Sequence, residues 1–234
     1  MSDPEPLGEI ALRLSEVRAR IDAAAARAGR PAATVRLIAV SKAKRESAIR
    51  AAYAAGQRDF GENYVQELVE KSAALSDLAE IRWHFIGKLQ RNKARHVVAT
   101  ELVHTVDREE LAIELDKRSV AAGRRLGVLI EVNVAGEATK GGCSPDGLGD
   151  LLAAVARAPG LEARGLMTIP PESADLEATR AVFVALRGLR DRHRAALGPG
   201  ELSMGMSHDY DVAIAEGATM VRVGTAIFGA RQKT

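Results

Sequence analysis

Lys42 is the first residue whose type and place suggest chemistry. It closes a short apolar run rich in β-branched residues, Val35 to Val40 (VRLIAV), just after Ser41. A lysine at the end of a buried strand is desolvated, which lowers its pKa and frees an amine for Schiff-base formation. A solvated rim charge is the plainer alternative. Near the other end of the chain, Thr219 to Gly229 (TMVRVGTAIFG) reads as a strand whose apolar residues Met220, Val221 and Val223 run into Gly224 and Thr225. A strand ending in Gly-Thr offers backbone N–H groups and a hydroxyl with no bulky side chain in the way, which suits a phosphate. Arg222 stands inside this apolar run, where a charge is costly unless it meets a partner.

The elements between these ends decide whether they meet. Leu7, Ile10, Leu14, Val17 and Ile21 recur at spacings of three and four, predicting an amphipathic helix over Leu7 to Ala28 that stops near Gly29 and Pro31. After it, strand-like apolar runs alternate with helical stretches. Following Val35–Val40, the runs are Arg58–Gly61, Ile81–Ile86, Leu102–Val106, Val128–Val134, Ala163–Ile169, Leu202–Met206 and Thr219–Gly229. The first seven are each followed by a predicted helix, the third of these a basic one through Asn92 and Val98. Continuous apolar strands alternating with helices are the pattern of parallel strands buried on both faces. The expected fold is therefore α/β, a single (β/α)8 TIM barrel with an extra N-terminal helix covering one end or side. One domain is expected over 1–234, with about 1–6 and 232–234 as flexible ends.

Chemistry in such barrels gathers at the C-terminal ends of the strands, and the loops after strands seven and eight form the usual phosphate site. Lys42, Asn63, His84, Asn133, Lys140, Met167, Ser203, Met204, Ser207, Arg222, Gly224 and Thr225 all fall at that level. Ser207, Thr225 and the amides near Gly224 would then form a phosphate cup facing Lys42. An amine beside a phosphate cup describes a site for an aldehyde that also carries a phosphate. Two readings fit: pyridoxal phosphate as a cofactor, or a phosphosugar aldolase. Arg222 favours the first, because an arginine two residues before the phosphate glycine can reach a pyridine nitrogen and only donate to it. Such a partner leaves a weaker electron sink than a carboxylate would, which disfavours strong carbanion chemistry.

Composition narrows the alternatives. The chain has 234 residues, 33 Lys+Arg against 31 Asp+Glu, and only 3% aromatic residues, so neither a strong basic field nor a base-stacking platform argues for nucleic acid. The N-terminus lacks the pattern of a signal peptide, and no apolar run has spanning length. A lone cysteine, Cys143, fits a reducing cytoplasm and reads as an exposed bystander thiol, and no metal site is expected.

At these residues the sequence resembles the pyridoxal phosphate homeostasis protein family. The matching motifs are AVSKAK (Ala39–Lys44), FGENYVQE (Phe60–Glu67), WHFIGKLQRNK (Trp83–Lys93), GLMTI, LSMGMSHDYDVAI and VRVGTAIFGAR, ending at Arg231. They cover nearly the whole chain from about residue 7. The resemblance implies a barrel like the N-terminal domain of bacterial alanine racemase, with Lys42 holding pyridoxal 5′-phosphate as a Schiff base. It also implies Ser207, Gly224 and Thr225 on the phosphate, Arg222 at the pyridine nitrogen, and Asn63 and Met204 lining the ring. Departures are small: LQRNK carries arginine where many members have a small residue, and His208 precedes Asp209 where others vary.

Members of that family are regarded as lacking established catalysis and as influencing cofactor supply. The expected function is accordingly a cytoplasmic binding protein, monomeric, that holds pyridoxal 5′-phosphate and supplies it to apo-enzymes, with no catalytic residues assigned. The alternative is an amino-acid racemase. Two-base racemisation needs an acid/base on each side of the Cα, and fold-related racemases take one from a second domain and partner subunit. No such domain is expected here, where the sequence ends directly after the barrel. Tyr64 and Tyr210 are the tyrosines nearest the presumed mouth, Tyr64 being expected to start a helix and face away. Lys140, in the loop TKGG, is a candidate second amine for cofactor transfer, and His84 is either near the ring or a satisfied core residue.

Overall fold

Eight short strands close on themselves. In the computed structural model, which describes residues 7–137 and 139–230, β1 (Arg36–Val40), β2 (Asp59–Glu62), β3 (Arg82–Phe85), β4 (Leu102–Val106), β5 (Leu126–Glu131), β6 (Leu161–Met167), β7 (Glu201–Ser203) and β8 (Met220–Val223) form a closed parallel barrel in chain order. Pairing of β1 with β8 completes it, with Ile38 opposite Arg222 and Ala39 opposite Val223. The expected (β/α)8 architecture is present. The ends expected to be flexible, 1–6 and 232–234, lie outside the described residues, as does Arg231.

Because side chains alternate across a strand, each strand feeds two cores. Ile38, Leu102, Leu129, Met167 and Met220 meet inside the barrel. Leu37, Ala39, Phe60, Val103, Val128, Leu202, Val221 and Val223 face the surrounding helices. The helices are α1 (Leu7–Arg27), α2 (Glu46–Ala54), α3 (Val65–Ala74), α4 (Glu109–Ala121), α5 (Leu148–Ala156), α6 (Leu176–Arg192), α7 (Tyr210–Ala215) and α8 (Thr225–Phe228). α1 buries Ile10, Leu14, Val17 and Ile21, as the spacing requires, and packs against α2, α7 and α8. With α8 only four residues long, α1 supplies the apolar face that a full eighth helix would have given this side of the ring.

Three elements differ from expectation. The final strand stops at Val223, and Thr225–Phe228 is helical rather than extended. Gly224 breaks the strand there, and the Ile227 and Phe228 N–H groups turn back to its carbonyl at 2.9 Å. The basic stretch after β3 is a 3₁₀ helix, Arg91–His96, its one fully packed residue being Ala94. β7 is shorter than its apolar run, ending at Ser203, because Gly205 adopts φ +94° and turns the chain.

Candidate functional site

A cavity of about 300 Å³ opens where β1, β2 and β8 end, and Lys42, Asn63, Ser207, Arg222, Gly224 and Thr225 all line it. Six of the seven residues expected to bind the cofactor are thus brought together from four separate stretches of sequence. Met204 is the exception. It continues the outward alternation of Leu202 and packs, fully buried, in the core beneath the helices, while Met206 beyond the Gly205 turn lines the cavity instead.

Lys42 sits on a tight turn. The Lys44 N–H closes on the Ser41 carbonyl at 3.0 Å, and Ala43 between them has φ +57°. A left-handed alanine costs roughly 1–2 kcal/mol, so something must hold it. The Ala43 N–H donates to Glu67 Oε2 at 2.7 Å. Lys71 then ties the turn to the barrel: its Nζ donates to the Ser41 carbonyl, Glu62 Oε1 and Glu67 Oε2 at 2.7, 2.8 and 2.7 Å. Ser41 Oγ donates to the same Glu62 oxygen at 2.7 Å. Burial pushes the Glu62 pKa above the ordinary carboxylate range, with Lys71 opposing it. For Glu67, burial also works upward, but the hydrogen bonds from Lys71 and Ala43 outweigh it and its pKa falls. Sequence reading missed this cluster. Its signal was present in Glu67 and Lys71, four apart on one helical face, but nothing local said that the face turns toward the Lys42 loop.

Asn63 directly follows β2. Its backbone lies so close to Gly87 that a Cβ there would come within 1.9 Å of the Asn63 carbonyl oxygen, so only glycine fits. Thr105 Oγ1 fixes the Gly87 carbonyl at 2.7 Å. The side-chain oxygen of Asn63 is buried with no hydrogen-bond partner.

Where β7 and β8 end, Thr225 Oγ1 and Ser207 Oγ lie 3.2 Å apart. The turn carrying Ser207 is shaped by Asp209, whose Oδ1 accepts the Met206 N–H at 2.5 Å while its own N–H returns to the Met206 carbonyl at 3.1 Å. Gly224 packs against the Val40 carbonyl, which a Cβ would approach to 3.3 Å. At the start of α8 the first N–H groups have no intrahelical acceptor.

Arg222 forms the floor and is 4% exposed. Its Nη1 donates to Ser203 Oγ at 2.6 Å and its Nη2 to the Thr168 carbonyl at 3.0 Å. Burial lowers its pKa to about 10, against the pull of Glu131 and Asp209. Glu131 ends β5 on the same strand face as Leu129. Burial and then the charge of Asp107 raise its pKa to about 7, with Arg222 and Lys88 opposing.

The remaining candidates fall elsewhere. Lys140 Nζ donates to the Pro170 carbonyl at 2.6 Å and lines a neighbouring cavity with Pro171 and Leu176. His84 is fully buried inside the barrel and fully bonded, so it is a core residue. Tyr64 precedes α3 and is exposed; Tyr210 is buried in the core. Cys143, expected to be exposed, is half-buried because its backbone pairs with Val132, and burial raises its thiol pKa to about 11. Among the described residues, no helix is long and apolar enough to cross a membrane.

These residues fit a phosphorylated aldehyde with a ring acceptor. An amine on a fixed turn, two hydroxyls beside the start of α8, a donor-only guanidinium and Asn63 line one cavity. A parallel barrel with this arrangement at its C-terminal mouth is a cofactor-binding barrel of the alanine racemase type, and the family described as "Alanine racemase, N-terminal domain" matches residues 12–232. Within that class, the chain belongs to the pyridoxal phosphate homeostasis proteins. It is 50% identical over 227 residues to the pyridoxal phosphate homeostasis protein of Pseudomonas aeruginosa, covering 96% of this chain and 97% of that one. Among solved structures, PipY of Synechococcus elongatus PCC7942 with PLP bound is 41% identical with a TM-score of 0.82, covering 94% of this chain and 100% of that one. The alanine racemase of Corynebacterium glutamicum, 19% identical with a TM-score of 0.67 over 97% of this chain and 62% of that one, shares the fold alone.

Proposed function

We propose that the cavity binds pyridoxal 5′-phosphate and that the protein holds it for supply to apo-enzymes, as part of vitamin B6 homeostasis in the cytoplasm. The convergence of Lys42, Ser207, Thr225 and Arg222 on one cavity of about 300 Å³ carries this reading. A solved relative, 41% identical, is described with PLP bound. When bound, pyridoxal phosphate supplies an aldehyde that condenses reversibly with an amine, releasing water. Lys42 Nζ is that amine, held on its turn by Glu67 and Lys71. Ser207, Thr225 and the amides from Gly224 onward take the phosphate, Arg222 faces the pyridine nitrogen, and Asn63 borders the ring.

Holding rather than turnover is the reading the cavity wall favours. Among the described residues lining it there is no tyrosine: Tyr210 is in the core and Tyr64 is exposed at the start of α3. His208, exposed at the rim, is the one other titratable group beside Lys42 and Arg222. Arg222 keeps its proton through the neutral range and so leaves the ring nitrogen unprotonated, the weaker electron sink. The experiment is an assay of the loaded protein on a panel of amino acids, run beside transfer of cofactor to an apo-enzyme. Transfer faster than by free diffusion, with no turnover, supports the proposal. Robust racemisation that Lys42→Ala abolishes would replace it with the racemase reading.

We take the monomer as the working unit, since the large exposed apolar side chains among the described residues are spread over α1, α3 and the residue before it, α4, the loop after β6 and α6. Gel filtration of the loaded protein tests this, with a single species of about twice the chain mass as the contrary result.

A further inference from the structure

The inside of the barrel is not wholly apolar. Beside Ile38, Leu102, Leu129, Met167 and Met220 lie Ser203, His104 and His84, each with no exposed surface, and Asp59, 5% exposed. They form one unbroken chain of hydrogen bonds. Ser203 Oγ is 2.6 Å from Arg222 Nη1 and 2.9 Å from His104 Nδ1. His104 Nε2 is 3.0 Å from His84 Nδ1, and His84 Nε2 is 2.9 Å from Asp59 Oδ1. Asp59 in turn takes Arg82 Nε and Nη2 at 2.9 and 2.6 Å. Arg222 floors the cavity at the C-terminal mouth, whereas Asp59 and Arg82 begin their strands and border a cavity at the N-terminal mouth. The chain crosses the whole barrel.

Donor and acceptor capacities allow this chain only one sense. Arg222 can only donate and an ionised Asp59 can only accept. Burial works against the Asp59 carboxylate, but the hydrogen bonds from Arg82 and His84 more than offset it and hold it ionised well below the usual range. Burial lowers the pKa of His84 and, further, of His104, so both rings are neutral and carry one proton each. His84 must then donate from Nε2 and accept at Nδ1. His104 must donate from Nε2 to His84 and accept at Nδ1. Ser203 must donate to His104 and accept from Arg222.

We propose that Ser203, His104, His84 and Asp59 are positioning residues for Arg222: as a one-way relay they fix its guanidinium against the barrel interior, so that its remaining N–H groups are presented to the cavity. Two imidazoles and a hydroxyl in a barrel core would otherwise be a costly choice over apolar side chains. The relay rests on the reading that the cavity holds pyridoxal phosphate with Arg222 at the ring nitrogen, and it also couples that contact to the far mouth of the barrel.

The test has two arms. In the first, long-range ¹H–¹⁵N spectra of the full chain, labelled at histidine and free of cofactor, report tautomers. Both buried rings should be neutral and carry Nε2–H throughout the neutral range. An Nδ1–H or doubly protonated ring at neutral pH would overturn the relay. In the second arm, Ser203→Ala should still form the borohydride-trapped adduct at Lys42 but bind pyridoxal phosphate on the order of tenfold more weakly, with a shifted absorption band. Ser203→Thr, which keeps the hydroxyl, should return both to near wild type. Wild-type affinity and spectrum in Ser203→Ala would contradict the positioning role. A wild-type protein that formed no adduct at Lys42 would sink the functional reading by itself, and the tautomers would still decide the relay.

Discussion

Lys71 Nζ donates to the main-chain carbonyl of Ser41 at 2.7 Å, so a buried ammonium on α3 grips the chain one residue before the candidate reactive lysine. The same ammonium meets Glu62 at 2.8 Å, and Lys71 and Glu62 side chains are 8% and 0% exposed. Removing one partner of such a pair leaves the other charge buried alone. Lys71→Met is predicted to destabilise the protein by about 3–5 kcal/mol in urea unfolding. It should also slow trapping at Lys42, since Ala43 loses much of what holds it at positive φ. The double change Glu62→Gln with Lys71→Met should recover part of the loss. Equal stability of the single and double variants would show that the pair is not coupled.

Gly87→Ala places a methyl group against backbone, not against a side chain that can move aside. With only 1.9 Å available to the Asn63 carbonyl oxygen, either β2 or the Gly87 turn must shift. A cost above about 3 kcal/mol is predicted, together with weaker cofactor binding in any folded fraction. Denaturant titration beside a binding titration checks both. A stable Gly87→Ala protein with wild-type affinity would mean that Asn63 is not placed by this contact.

Arg222→Lys keeps the charge but loses the planar fork that reaches Ser203 Oγ and the Thr168 carbonyl together. Pyridoxal phosphate affinity should fall by roughly tenfold or more, the scale of one lost charge-assisted hydrogen bond. Ultraviolet–visible titration of the purified variant reads this directly. Retention of wild-type affinity would remove Arg222 from the binding set.

Glu131 gives the apo-protein a pH signature. Its folded pKa of about 7 lies above the unfolded value of 4.5, so between those values the folded state binds more protons than the unfolded one. Its contribution to stability is therefore fully present below pH 4.5 and lost as pH rises toward and through 7. Glu131→Gln should be more stable than wild type at pH 8 by on the order of 2 kcal/mol and nearly equal to it at pH 4.5. Urea midpoints at the two pH values measure the difference. A variant less stable than wild type at pH 8 would reverse the sign.

Much of the fold was legible because a parallel strand buried on both faces writes itself as a continuous apolar run. The six α-helices between strands, α2 to α7, stand where a helix was expected after each such run, and only the stretch after β3 is 3₁₀ instead. The end of β8 was not legible: Ala226, Ile227 and Phe228 are as apolar in the short helix after Gly224 as they would be in a strand. Six of the seven residues expected to bind the cofactor line one cavity, because a strand end is a place that chain order fixes. Met204, expected beside them, lies in the core instead. Alternation turns it outward with Leu202, and the Gly205 turn hands the cavity to Met206, a geometry that the motif itself does not spell out. Lys71, Gly87 and the His84–His104 pair escaped because each acts through a contact between strands or helices distant in sequence. Alone, each reads as a surface lysine, a turn glycine or a core histidine.

The central claim is that Lys42 is the amine that captures the cofactor. Loading the purified full chain with pyridoxal phosphate, reducing with borohydride and mapping the modified peptide by mass spectrometry tests it most directly. A single stoichiometric adduct on Lys42, absent from Lys42→Ala, is the predicted result. An adduct mapped to Lys44, Lys140 or another lysine, or one undiminished in Lys42→Ala, would contradict the account.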